Sequence, residues 1–299
     1  MTRTNLSPFD ARSVPFTAKD LLVAYDFSSA ADTSLKYAVM LSRQFGSFVH
    51  LITVQTPKDY ADALEGGSYA LETSRRDIQS ELSHVEERLK TAGIRSDAIR
   101  RIGNVSDNIV GATFELKPDL LMFGAFGHSA SDRAQLGSTA EHLLRTAGCP
   151  AFVIGPRALV AEPEAPPITH ILCATTSLES PDDIVLFAGH IAAEMKAHLE
   201  LLHAVDPAQQ DLPRQHHEQL CEKWSHKLRQ QNISVSWTLL YGPPEQVISA
   251  RATEAKASLI LFALHRRGSH MIDCPDGVVS AAIRQAQCPV MTVPLGLPL

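Results

Sequence analysis

Residues 103–156 read GNVSDNIVGATFELKPDLLMFGAFGHSASDRAQLGSTAEHLLRTAGCPAFVIGP, and residues 242–295 align to them without a gap at a constant offset of 139. Gly103, Ile109, Glu115, Lys117, Leu120, Phe123, Arg145, Ala147, Cys149 and Pro150 recur as Gly242, Ile248, Glu254, Lys256, Leu259, Phe262, Arg284, Ala286, Cys288 and Pro289. Ten identities in 54 positions fall mostly at element boundaries or in apolar runs, as a shared fold requires. The copies differ where Gly124, Gly127, Gly137 and Ser138 face Ala263, Arg266, Asp276 and Gly277. One half carries a glycine-rich turn and the other does not.

Outward from this stretch, short β-like runs alternate with longer helical ones, the pattern of βαβ units on a parallel sheet. In the first half, strands are expected at 21–24, 48–54, 94–102, 120–123 and 150–154. Helices are expected from Ser28 or Ser29 to Gly46, and at 69–91, 105–117 and 138–147. The order repeats, with strands at 171–174, 198–205, 233–241, 259–264 and 289–293 and helices at 181–195, 207–230, 243–256 and 277–286. Each half is thus a five-stranded α/β unit. The domains are placed at 18–156 and 168–299, joined by a stiff linker at 157–167 with four prolines across 155–167 and preceded by a disordered arm at 1–17.

Length and composition set bounds on function. A chain of 299 residues accommodates two domains, each with its own core. A net charge of -6 argues against a protein built to neutralise nucleic-acid backbones. No apolar run approaches the roughly 18–20 residues that span a bilayer, so no membrane partner is expected. Five cysteines without a CxxC pair argue against a disulfide framework or zinc ribbon, and a reducing cytoplasm is the default location.

Gly124-x2-Gly127 follows a buried strand directly, and Gly137-Ser138 opens the next helix. Loops at the carboxyl ends of parallel strands are where ligands bind in such sheets. Glycines there permit positive φ and close approach of an anion to successive N–H groups. Ser138 adds a hydroxyl, and Thr139 another. A structural reading stands beside the functional one: Ser138-Thr-Ala-Glu141 fits a capping box, which would spend Ser138 on the helix's own amides.

The spacing G-x2-G-x9-G-[S/T] at Gly124, Gly127, Gly137 and Ser138, the opening LVAYDFS of residues 22–28 and the GCP of residues 148–150 together resemble the universal stress protein (UspA) family, twice in tandem, over roughly 18–156 and 168–295. The resemblance implies two tandem Rossmann-like domains of the adenine nucleotide alpha hydrolase-like kind, each with a five-stranded parallel sheet. It implies ATP, with or without Mg2+, in the first half. Asp26 and the backbone at Ala24 and Val54 would face the adenosine, and Gly127, Gly137, Ser138 and Thr139 the phosphates. The two repeats would form an intramolecular pseudo-dimer, with further homodimerisation left open. Ala125 and Phe126 stand where the family often has a polar residue, and the loop 128–136 pairs Arg133 with Asp132, so ATP, ADP and AMP are not distinguished.

In the second half Thr176 replaces the Asp and the three motif glycines are gone, so that half is expected not to bind ATP in the family manner. Arg266 and Arg267 are read as a solvated turn. His217 and Cys221 share a helix face at i,i+4, which is read as solvated, because two ligands fall short of a structural zinc site. Cys149 and Cys288 are read as core residues, and Cys274 as an exposed thiol. No Walker A lysine, G-x-S-x-G elbow or H-E-x-x-H is present, and His128 is the sole residue near the turn in a position to act as a base. A stress-response nucleotide-binding protein is therefore preferred, with a slow ATPase or phosphoryl-transfer enzyme, or a non-binding interaction module, as alternatives.

Overall fold

The computed structural model describes residues 16, 18–56, 68–126, 136–159, 168–175, 182–206, 213–267, 270–273 and 277–296. The expectations for Gly127, His128, Asp132, Arg133, Thr176, Cys274 and Asp276, and for most of the arm and linker, lie outside these residues.

The chain divides into two compact units. In the first, β1 (Asp20–Ala24) leads to α1 (Ser29–Phe45), then β2 (Phe48–Gln55), α2 (Ser68–Thr91), β3 (Arg95–Ile102), α3 (Val105–Leu116), β4 (Leu120–Gly124), α4 (Ser138–Thr146) and β5 (Ala151–Ile154). The strands run parallel in the order β3-β2-β1-β4-β5. β1 and β4 are adjacent although far apart in sequence, and this reversal of strand order is where such sheets open a crevice at their carboxyl ends.

Local chemistry sets the elements. Ser28 caps α1 by accepting the Ala31 N–H at 3.2 Å, and Gly46, left-handed at φ 68, ends the helix by donating to Ser42 O. Ala31, Tyr37, Ala38 and Leu41 recur at helical spacing on its buried face. Leu21, Leu22 and Val23 of β1 and Leu120, Leu121 and Met122 of β4 are all fully buried, as strands covered on both faces require.

The second unit repeats the plan through β6 (His170–Thr175), α5 (Asp182–Met195), β7 (His198–Val205), α6 (Arg214–Arg229), β8 (Val235–Tyr241), α7 (Pro244–Glu254), β9 (Leu259–Arg267), β10 (His270–Asp273), α8 (Val278–Gln285) and β11 (Val290–Gly296). Its parallel order is β8-β7-β6-β9-β11, with β10 antiparallel on β9. Phe16 and residues 157–159 group with this unit, and the Phe16 ring meets Phe187 edge-on at 5.7 Å.

Several repeated identities mark backbone positions. Gly103 and Gly242 both have positive φ, 131 and 147, and both donate to the last residue of the neighbouring strand, Gln55 O and Val205 O. Lys117 and Lys256 are both left-handed, at φ 49 and 51, where a helix hands over to the next strand. Cys149 and Cys288 are buried, and desolvation pushes both thiols up to about 12.

Candidate functional site

The described candidate residues gather at the carboxyl edge of the first sheet. Ala24 and Gly124 end β1 and β4, Asp26 lies in the turn after β1, and Val54 is the penultimate residue of β2. Gly137, Ser138 and Thr139 form the start of α4. Ala24, Val54, Gly124, Gly137 and Thr139 are half-buried, whereas Asp26 and Ser138 are exposed.

Hydrogen bonds hold these pieces in place. Tyr25 N–H donates to Ile52 O at 2.9 Å, and Thr53 Oγ1 donates to Tyr25 O at 2.8 Å, tying the end of β1 to β2. Gly137 N–H donates to Ala125 O at 3.1 Å, which docks the start of α4 on the residue after β4. Asp26 Oδ1 accepts the Ser28 N–H at 3.0 Å, so its carboxylate shapes the entry to α1. Between them Phe27 is left-handed at φ 62, a strained conformation for a bulky side chain, and its ring meets Tyr25 edge-on at 5.0 Å. The Tyr25 hydroxyl donates to Asp32; burial first, then that hydrogen bond and charge, push the phenol above its ordinary range.

Gly124 and Gly137 serve space rather than positive φ. Gly137 sits at φ -61, and Gly124 is absent from the positive-φ residues. A Cβ on Gly124 would stand 2.6 Å from the Ala30 Cβ, so the glycine admits α1 against β4. A Cβ on Gly137 would lie 3.3 Å from Ala125 O.

The capping box is not formed. Gly137 itself is the N-cap, in extended geometry at ψ 142, and with no side chain it makes no side-chain cap. Ser138 is already helical and cannot cap its own helix, while Glu141 pairs with Arg145 at 2.9 Å. Among the described residues no side chain caps the leading amides of α4 at 138–140, the Glu141 N–H already bonding Gly137 O, and Ser138 keeps its hydroxyl exposed beside them.

At the corresponding place the second unit builds something else. β9 continues through Arg267, pairing Arg266 with Met271 of β10 and with Gly296 of a lengthened β11. Arg266 and Arg267 are thus strand residues rather than a solvated turn. Without the glycines the ladder simply propagates, and its N–H and C=O groups are spent on strand pairing. The missed signal was the Gly268-Ser269 pair between 267 and 270, which suits a two-residue hairpin.

The helix face of His217 and Cys221 is also not solvated, since both are buried, at 8% and 3% exposure. Among the described residues no cluster of three or more metal-ligating side chains occurs, and no helix is long and apolar enough to cross a membrane.

A separate groove of about 1080 Å³ runs between α1 and α2, floored by Leu35, Val39, Met40, Val85 and Leu89. In the second unit Gly189 stands at the position of Val39 in its helix, and a Cβ there would meet Leu228 Cδ2 at 2.6 Å. Leu228 of α6 fills the notch that Val39 denies to α2.

A model of the universal stress protein family matches residues 17–155 and again residues 167–294. A universal stress protein of Methanocaldococcus jannaschii is 25% identical over 138 residues, which cover 46% of this chain and 81% of that protein. The crystal structure of a universal stress protein from Archaeoglobus fulgidus superposes with a TM-score of 0.71 at 16% identity, covering 93% of this chain and 98% of that one. A functionally unknown Pseudomonas aeruginosa protein does so with 0.67 at 15% identity, over 94% of each chain. At these identities the structural likeness is one of fold.

Proposed function

Because the chain belongs to the universal stress protein family in both of its halves, we propose that its first repeat binds ATP, with or without Mg2+, as a cytoplasmic stress-response binding protein. In this reading Asp26 and the backbone at Ala24 and Val54 meet the adenosine. Gly127, Gly137, Ser138 and Thr139 meet the phosphates.

The observation that carries the reading is the open start of α4. A helix N-terminus capped by a glycine, with an exposed hydroxyl beside it, offers phosphate oxygens several aligned donors and a favourable dipole. Gly137 adds the close approach, since its N–H anchors to Ala125 O and it carries no side chain of its own. The second repeat spends the matching segment on the β9–β10 hairpin, which supports confining the nucleotide to the first.

Equilibrium binding of labelled ATP to the wild type and to Gly137→Asp tests this. Asp is the residue the second repeat holds at the matching position, and its charge would face the phosphates. At least a tenfold loss of affinity is expected, on the order of 1.4 kcal/mol. Equal affinity in a variant with an unchanged circular dichroism spectrum would overturn the assignment.

A further inference from the structure

In both repeats the second strand sends a side chain back to the carbonyl that closes the first. Thr53 does this in β2 through its hydroxyl, 2.8 Å from Tyr25 O. In the second repeat the sixth residue of β7, matching Thr53 in β2, is His203, and its Nδ1 lies 3.1 Å from Thr175 O. An imidazole reaches further than a hydroxyl. His203 Nε2 continues to His217 Nδ1 on α6 at 3.0 Å. Both rings are buried, at 3% and 8% exposure.

This chain of contacts fixes every proton. A carbonyl only accepts, so His203 Nδ1 carries the hydrogen. A neutral imidazole has a single N–H, so His203 Nε2 accepts and His217 Nδ1 donates. His217 Nε2 is then a bare acceptor, and it is buried without a hydrogen-bond partner. One more proton has no good place. On His203 it would set N–H against N–H, and on His217 it would enter a buried spot holding no acceptor among the described residues.

On α6, Arg214 and Glu218 pair with each other at 2.8 Å, and the Arg214 guanidinium sits 5.9 Å over the Tyr241 ring from β8. His216 lies 6.5 Å from His217, ring to ring, and burial pushes the Cys221 thiol up to about 11. On α5, His190 has its own Nδ1 buried without a partner. From β6 comes the Thr175 carbonyl, and His170 stands at the opposite end of that strand. Among the described residues no carboxylate pairs with either ring of the couple.

We propose that the His203–His217 couple is an acid-responsive latch in the repeat that lacks the glycine turn: proton uptake breaks the tie between β7 and α6 and frees α6 from the sheet. Burial lowers the basicity of His203, the Thr175 carbonyl opposes this, and the charge of His217 adds to it, leaving His203 at about 4. The unfolded imidazole takes its proton near 6.5. The latch is therefore intact above 6.5 and weakens as pH falls towards 4, because the released state binds the proton first. Freeing α6 uncovers Trp224 and Leu228, now 4% and 0% exposed.

Amide hydrogen exchange on the full chain tests the latch, comparing pH 7 with pH 5 after correction for intrinsic rates. With that shift in His203 alone, the opening equilibrium of α6 amides should rise about 20-fold, while α3 amides stay level. His203→Thr installs the arrangement of the first repeat, keeps the Thr175 bond and should abolish the rise. Imidazole NMR titration of the wild type reads the same property without a variant: the His203 ring should stay neutral in the folded protein down to pH 5. Unchanged α6 exchange in the wild type would overturn the proposal. So would a His203→Thr protein that keeps the full rise, or the His203 ring titrating near 6.5 in the folded state.

Discussion

Gly124 and Ala30 approach so closely that a methyl built on Gly124 would stand 2.6 Å from the Ala30 Cβ and 3.3 Å from its carbonyl carbon. Neither obstacle is a flexible side chain. The first glycine of the turn is therefore a packing residue between β4 and α1, whatever else the turn does. Gly124→Ala should destabilise the protein by about 1–3 kcal/mol, the usual cost of overpacking. Urea denaturation without nucleotide measures it, and an unchanged midpoint would show that α1 retreats at no cost.

Phe27 holds a left-handed backbone at φ 62 with its ring on Tyr25. Phe27→Ala loses the ring and keeps the strain, whereas Phe27→Gly loses the ring and relieves it. The glycine variant should be the more stable by about 1 kcal/mol, reversing the usual order of these residues. Thermal denaturation of the pair decides, and an alanine variant at least as stable would rule out strain at this turn.

Glu200 is buried at 1% exposure yet charged. Burial alone would raise its pKa, but the His170 ring at 3.3 Å, hydrogen bonds from Arg251 and Thr238, and the Arg251 charge hold it at about 2. Arg251 Nε and Thr238 Oγ1 reach Glu200 Oε1 at 2.7 and 2.6 Å. A lowered carboxylate pKa contributes stability that is complete above about 4.5 and drains away as pH falls towards 2. The loss should be about 3 kcal/mol across that window. Glu200→Gln should remove this step from the stability–pH curve, and its persistence would assign the acid lability to other groups.

Cys149, Cys173, Cys221 and Cys288 are all buried, and desolvation raises each thiol, to about 12, 12, 11 and 12. Thiolate is the reactive form, so these four should resist a thiol reagent at pH 7.5 and react only on unfolding. Mass mapping of the labelled sites checks this. Rapid native labelling of Cys221 would show that α6 opens readily at neutral pH.

Much of the fold was legible because its signals are local. Ser28 and Gly46 bracket α1 within one stretch of chain, and the apolar run of β4 declares a strand covered on both faces. The candidate site was legible in part. The motif brought Gly124 and Gly137 to the same edge of the sheet, yet it did not separate their duties. Gly124 answers to Ala30, ninety-four positions away in sequence, and Gly137 answers to Ala125. Ser138 looked like a cap because its spacing to Glu141 is right. Whether a residue lies just before or just inside a helix depends on where the preceding chain is docked, and the Gly137–Ala125 bond settles that.

By itself the sequence determined the duplication, the alternation of strand and helix, and the loss of glycines in the second copy, since periodicity and residue type act on near neighbours. Only the tertiary structure decided that Arg266 and Arg267 extend a strand, that His217 and Cys221 face inward, and that His203 reaches His217. Each of these rests on a partner supplied by another element: β11 for Arg266, the sheet for α6, α6 for β7. A backbone amide or an imidazole takes its role from whichever group lies within 3 Å or so, and that neighbour is set by how the strands and helices pack.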